Sequence, residues 1–210
     1  MIKEIEKIVK EAHKNDSTGH SWDHIDRVRN LALKISDTEG GDKEVIEISA
    51  LLHDLIDDKL GFSEWTIAKI KQLLNELNLP SQKIESVISI IDSVSFKGGN
   101  GIVPNSTDGK IVQDADRLDA LGAIGIARTF IYSGSKGQAI YNPSISVREN
   151  MSFVEYRSGK STAINHFYEK LLKLKNLINT QTAKIIAEER TKFMELFLEQ
   201  FLKEWNFINN

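Results

Sequence analysis

The sequence predicts an all-α fold, a single bundle of helices spanning residues 1–210. Three observations carry this expectation. Apolar residues recur at helical spacing from Ile2 into the closing segment. Forty per cent apolar residues with only three prolines suit a compact, mainly helical globule. No internal repeat and no linker divides the chain, so one domain is expected. Its motif-bearing core runs over about 20–132 and its closing helices over about 162–207.

Ile2, Ile5, Ile8, Val9 and Ala12 mark a first helix over 2–14. Acids are mixed into it, unlike a signal peptide. Asn15 to Gly19 is turn chemistry. A second helix is expected from about Trp22 to Ser36, with Trp22, Ile25, Val28, Ala32 and Ile35 on one face. His24 falls at the edge of that face, pointing inward. Arg27 lies about 60° from it on the wheel and His20 one turn earlier.

Gly40-Gly41 end this unit, and Asp42 can cap the next helix. That helix, expected over Glu44 to Asp58 (EVIEISALLHDLIDD), is apolar on nearly every side and reads as mostly buried. Near its end His53, Asp54, Asp57 and Asp58 share an arc of roughly 140° at about 100° per residue. Three carboxylates and an imidazole there are costly unless a cation compensates them. A divalent metal ion is the simplest compensation; solvated acids at a frayed helix end are the plainer alternative.

Residues 63–78 and 81–95 read as two amphipathic helices separated by Pro80. Ser63 and Glu64 fit the first turn of one and Ser81 fits the cap of the other. Phe96 to Ser106 is a glycine-rich loop without the spacing of a nucleotide-binding fingerprint. Lys97 within it can reach an anion or serve as a plain surface lysine. In residues 108–132, Ala115, Asp116, Asp119, Ala120, Gly122, Ala123, Ile126 and Ala127 line one face. Small residues there admit a close neighbour, and two acids among them again need a partner. Arg117 projects about 100° from Asp116, while Asp114 lies nearly opposite and reads as a solvated or structural acid. Residues 133–162 are polar, with Lys136, Arg148, Arg157 and Lys160, and can form a cationic lid or a solvated excursion. Two helices, about 162–178 and 180–205, close the chain, with Asn179-Thr180 as break and cap. His13 and His166 have no acidic cluster at ligand spacing and are expected to be structural.

A net charge of −3 and a pI near 6 give no general basic surface for nucleic acid. With no cysteines, disulfides and thiolate metal sites are excluded. No apolar run approaches the roughly 20 residues of a membrane helix. A soluble cytoplasmic protein without nucleic-acid or membrane partners is expected, and a homodimer is compatible with all of this.

His24, His53, Asp54 and one acid from 116 or 119 give two nitrogen and two oxygen ligands. That set suits Mn, Fe, Co, Ni or Zn. Such an ion polarises phosphoryl oxygens and acidifies bound water. Asp57 or Asp58 can then handle a proton, and Arg27, Lys97 and Arg117 can neutralise phosphate charge.

The stretches GHSWDHIDRV, LLHDLIDD and QDADRLDALGAIGIAR resemble, in order, the three motifs of the HD-domain metal-dependent phosphohydrolases. The likeness is to the small, single-domain bacterial branch and extends over essentially the whole chain. It implies a single-domain HD-type helical bundle holding one divalent ion, manganese favoured, with Fe, Co, Ni, Zn or Mg also admissible. His24, His53, Asp54 and Asp116 are the implied metal ligands. Asp57 and Asp58 match the acids after the doublet and are the implied catalytic pair. The helical wheel alone sets Asp119 nearer the centre of the small-residue face; following the motif leaves Asp119 beside the ligands. Arg27, Lys97, Arg117, His20 and Asp119 are the substrate-side candidates. At His20 the pattern departs, since Ser21 stands where an acid often follows. The expected activity is cleavage of a phosphate ester or anhydride, of a nucleotide in particular. A non-catalytic nucleotide sensor is the second reading. A di-iron oxygenase is the third, and it lacks further histidines placed to serve it.

Overall fold

The computed structural model describes residues 1–56, 65–94, 103–149 and 160–207. Among them every regular element is helical, so the all-α expectation holds. Helix α3 (Lys43–Leu52) is the centre. Asp42 starts it by accepting the amides of Glu44 and Val45 at 3.0 and 3.3 Å. Val45, Ile46, Ile48, Ala50, Leu51 and Leu52 are then all buried. Around α3 pack α1 (Ile2–Ala12), α2 (Trp22–Glu39), α5 (Ser81–Val94) and α6 (Thr107–Asp119). Each turns its apolar stripe inward, as Ile5 and Val9 of α1 and Ile25, Val28, Ala32 and Ile35 of α2 show. Helix α2 outruns its expected end and stops only at Gly40, whose φ of +81° L side chains rarely adopt.

The expected helix over Glu44–Asp58 ends early, at Leu52. Residues 53–56 continue as turns, with the Leu55 amide reaching back three residues to the Leu52 carbonyl at 3.1 Å. The cause is local: His53 Nδ1 donates to the Ala50 carbonyl at 2.8 Å, the acceptor that the Asp54 amide would use in a continuing α-helix. His53 and Asp54 therefore stand on a turn rather than on the expected helical arc, and Asp57 and Asp58, expected on the same arc, lie outside the described residues.

Helix α4 (Ile67–Glu76) begins later than expected, because the Thr66 hydroxyl caps it at the Lys69 amide. Helix α5 matches its expected bounds to one residue. The Pro80 carbonyl accepts the Ile84 amide at 3.0 Å, so Ser81 is already inside the helix. Lys97 lies outside the described residues.

Residues 108–132 are two helices, α6 and α7 (Gly122–Ser135). The chain breaks at extended Leu121 and at Gly122, whose φ is +71°. A side chain at Gly125 would meet the Ala120 carbonyl oxygen at 2.2 Å, so glycine permits this tight corner. The wheel read across 115–127 loses its phase at that corner.

The segment expected as one helix over 162–178 is composite. It comprises α8 (Ala163–His166), a π-helical turn Phe167–Leu171, α9 (Leu172–Leu174) and a 3-10 turn Lys175–Leu177. Helix α10 (Gln181–Trp205) then closes the fold against α7 and α6. Arg148, expected either as lid charge or in a solvated excursion, instead gives its amide, Nε and Nη2 to the buried Glu169 at 2.8–3.1 Å. No helix among the described residues is long and apolar enough to cross a membrane.

Candidate metal centre

The Asp42 cap and the buried stripe of α3 deliver His53 and Asp54 to the helix end, where α2 and α6 pass. Helix α2 brings His24, 1% exposed, and α6 brings Asp116. His24, His53 and Asp54 each offer one ligand atom, all within 4.8 Å of one another. His24 Nε2 stands 3.3 Å from Asp54 Oδ2 and 3.6 Å from Asp116 Oδ1. His53 Nε2 stands 3.4 Å from Asp54 Oδ1 and 3.7 Å from Asp116 Oδ1.

The orientation of both rings follows from their other nitrogens. His24 Nδ1 donates to Asp119 at 2.7 Å and His53 Nδ1 to the Ala50 carbonyl. Each Nε2 is thereby turned toward the shared carboxylates, the arrangement that holds a ligating imidazole in place. His24 Nε2, His53 Nε2 and Asp54 Oδ2 are buried without a hydrogen-bond partner. Buried polar atoms are nearly always satisfied. Three such atoms on residues whose ligand atoms lie within 4.8 Å of one another therefore fit a divalent ion, and the N/O donor set suits first-row metals and magnesium.

Electrostatics points the same way. Burial opposes charge on His53, but the Asp54 and Asp116 carboxylates outweigh it and raise its pKa to about 9. Burial likewise opposes ionisation of Asp54, yet the charges of His53 and His24 hold its carboxyl well below the usual range. Asp116 is lowered for similar reasons, against burial and chiefly through His53. The carboxylates demand a cation, and an ion would displace the imidazole proton.

Asp119 occupies the far side of His24. It accepts a fork from Arg27, Nε at 2.7 Å and Nη2 at 3.0 Å, and a bond from Arg128 Nη1 at 3.1 Å. His20 sets its ring edge against His24, centroids 5.6 Å apart, and bonds the Thr18 hydroxyl through Nδ1 at 2.9 Å. Burial, helped by Arg128 and His24, lowers its pKa to about 4, so it is neutral at pH 7. Asp16 holds this loop by accepting the His20 and Thr18 amides at 2.7 and 3.0 Å.

The structure thus brings together His20, His24, Arg27, His53, Asp54, Asp116 and Asp119. Arg117 is committed elsewhere: it is buried, and its Nη1 donates to the Leu177 carbonyl. His13 stands nearer the cluster than its spacing indicated. It is buried, donates to the His20 carbonyl at 2.5 Å, and lies within electrostatic reach of Asp54, His53 and His24. Sequence reasoning also missed Arg128, because the break before α7 hides its approach to Asp119 from any continuous wheel.

Fold and site together define an all-α protein with a candidate metal centre enclosed by three helices. The sequence model of the HD domain matches residues 21–121. The Bacillus subtilis protein YpgQ is 38% identical over 193 residues, covering 90% of this chain and 86% of YpgQ. The chain belongs to the HD-domain family. A crystal structure of a Lactobacillus plantarum protein matches with a TM-score of 0.86 and 41% identity, over 98% of this chain and 96% of that one. An HD-superfamily hydrolase of Bacillus thuringiensis matches at 0.76 and 44%, over 98% and 96%. YpgQ crystallised in complex with ADP matches at 0.79 and 35%, over 97% of each chain.

Proposed function

We propose that this protein is a metal-dependent phosphohydrolase that cleaves an ester or anhydride bond of a nucleotide. The observation that carries the reading is the clustering of three buried, unpartnered ligand atoms from His24, His53 and Asp54, with Asp116 beside them. The likeness to HD-superfamily hydrolases supports the hydrolytic class. The ADP complex of YpgQ supports a nucleotide ligand. His24, His53, Asp54 and Asp116 would hold one divalent ion, manganese favoured. When bound, such an ion would polarise a phosphoryl oxygen and lower the pKa of a water.

The protein's own groups divide the remaining work. Arg27, with its side chain 37% exposed, faces solvent beside the site and can neutralise phosphate charge. The Thr18 hydroxyl gives its proton to Asp16, so neutral His20 donates Nδ1–H to Thr18 and keeps Nε2 as an acceptor that can take a hydrogen bond from a water or a substrate hydroxyl. Asp57 and Asp58, just past the doublet, are assigned to proton transfer. Arg117, bonded to Leu177, is left out of the substrate assignment.

The test is metal-stripped protein reloaded ion by ion and assayed against nucleoside mono-, di- and triphosphates for released phosphate or pyrophosphate. Asp57→Asn should keep the ion and most substrate affinity while kcat falls about 10²–10⁴-fold. Asp116→Asn should weaken the ion itself, so that added metal partly restores its rate. Nucleotide and metal binding without turnover by any reloaded form would instead establish a sensor.

A further inference from the structure

Asp119 ends α6 with a buried carboxylate that accepts four N–H groups. Oδ2 takes His24 Nδ1 at 2.7 Å, Arg27 Nη2 at 3.0 Å and Arg128 Nη1 at 3.1 Å. Oδ1 takes Arg27 Nε at 2.7 Å. Two positive guanidinium groups and an imidazole therefore share one negative charge. The two arginines are not equivalent. The Arg27 side chain is 37% exposed, so water competes for its fork. The Arg128 side chain is 15% exposed, and it bonds only Oδ2, the oxygen that orients His24, whereas Arg27 is shared between both oxygens.

Arg128 is also anchored at its other end. Its Nε donates to the Gly19 carbonyl at 2.8 Å. Gly19 has a φ of +87°, and a side-chain carbon there would lie 3.6 Å from Arg128 Cβ and Cγ, so the loop before α2 runs against the arginine stem. One planar fork thus spans from that loop to the end of α6. Lysine, with a single ammonium, cannot reproduce such a span.

We propose that Arg128 is a positioning residue of the metal centre. Anchored on Gly19, it holds Asp119 Oδ2 against His24 Nδ1 and so keeps His24 Nε2 facing Asp54 and Asp116. The inference rests on the metal reading above and gives a role to Arg128, the last residue of the third motif stretch, which the motif comparison leaves without one. A merely structural role, tying α7 to its neighbours, would alter stability and leave intrinsic metal affinity alone.

The experiment is calorimetric titration of Mn²⁺ and of Zn²⁺ into metal-stripped wild type, Asp119→Ala, Arg128→Met and the double variant, with circular dichroism confirming the fold of each. Partners that orient a metal-binding histidine typically contribute about 10–100-fold in metal affinity. Asp119→Ala should lose that much, and Arg128→Met about tenfold. Because Arg128 acts through Asp119, the double variant should bind no more weakly than Asp119→Ala alone. Should Asp119→Ala or Arg128→Met fail to fold, Asp119→Asn and Arg128→Lys replace them. The first can keep an amide oxygen on His24 by placing its nitrogen toward Arg27 Nε, so its loss should be the smaller. The second keeps a cation without the fork and should still lose affinity. A folded Arg128 variant with wild-type affinity, or losses that multiply in the double variant, overturns the proposal alone. Wild type that takes up neither ion overturns the metal reading and this proposal with it.

Discussion

Asp114 offers the sharpest test of how α6 is held. Its carboxylate is fully buried and receives four donors from the turn ahead of α10. Oδ2 accepts the Thr180 amide at 2.7 Å and the Thr180 hydroxyl at 2.8 Å. Oδ1 accepts the Asn179 amide and Asn179 Nδ2, both at 2.8 Å. Asn179 is only half-buried, so water can replace what it loses, whereas Thr180 is buried. Asp114→Ala therefore strands two buried donors, at about 1–3 kcal/mol each. It also removes a negative charge from a helix N-terminus, worth about 0.3–1 kcal/mol. A loss of about 3 kcal/mol follows, and for a protein of this size each kcal/mol moves Tm by about 2–4 °C. Thermal unfolding followed by circular dichroism, in chelator, should show Tm lowered by roughly 6–12 °C. Glu188→Ala, at an exposed position of α10, should change stability by no more than about 0.5 kcal/mol. A drop below about 2 °C for Asp114→Ala would refute the capping argument.

Two further outcomes are expected. Saturating divalent ion should raise Tm in wild type, by roughly 5–10 °C when free ion is about 100 times its Kd. His53→Ala should abolish that shift, and an equal shift in the variant would remove His53 from the ligand set. Burial resists ionisation of Glu169, but the Arg148 fork and the Ser161 hydroxyl outweigh it and hold its carboxyl below the usual range. A depressed folded-state pKa contributes stability above the unfolded value of about 4.3, lost as pH falls through the folded value. Glu169→Gln should therefore be less stable than wild type at pH 7, with the gap closing below about pH 4.3. A gap independent of pH would show that charge at Glu169 does not matter.

Much of this protein is legible in its sequence. The helices show because each buries one stripe of a largely apolar set, and that periodicity is local. The cap at Asp42 is local too. What stayed hidden depends on competition between a side chain and its own backbone, or on partners far along the chain. The continuation of α3 past Leu52 failed because His53 takes the Ala50 carbonyl, a choice invisible to hydrophobic spacing. The face drawn across 115–127 failed because a left-handed glycine at 122 resets the phase. Arg148 read as lid charge because nothing in its neighbourhood predicts a buried Glu169 twenty-one residues later.

The three acids of α6 show the same limit at the site. Asp114, Asp116 and Asp119 lie within six residues on one helix, and their chemistry as isolated side chains is identical. Asp114 meets the amides of a helix start sixty-six residues on and becomes a cap. Asp119 meets His24 and Arg27, ninety-five and ninety-two residues back, and accepts only donors. Asp116 alone faces two imidazole nitrogens across gaps of 3.6 and 3.7 Å, too long for hydrogen bonds. Its side chain is also 28% exposed, against 4% for Asp119. An acid that closes its own hydrogen bonds is finished as a structural element. The one left with gaps to its neighbours keeps an oxygen free for a cation, which is what supports the ligand role proposed for Asp116.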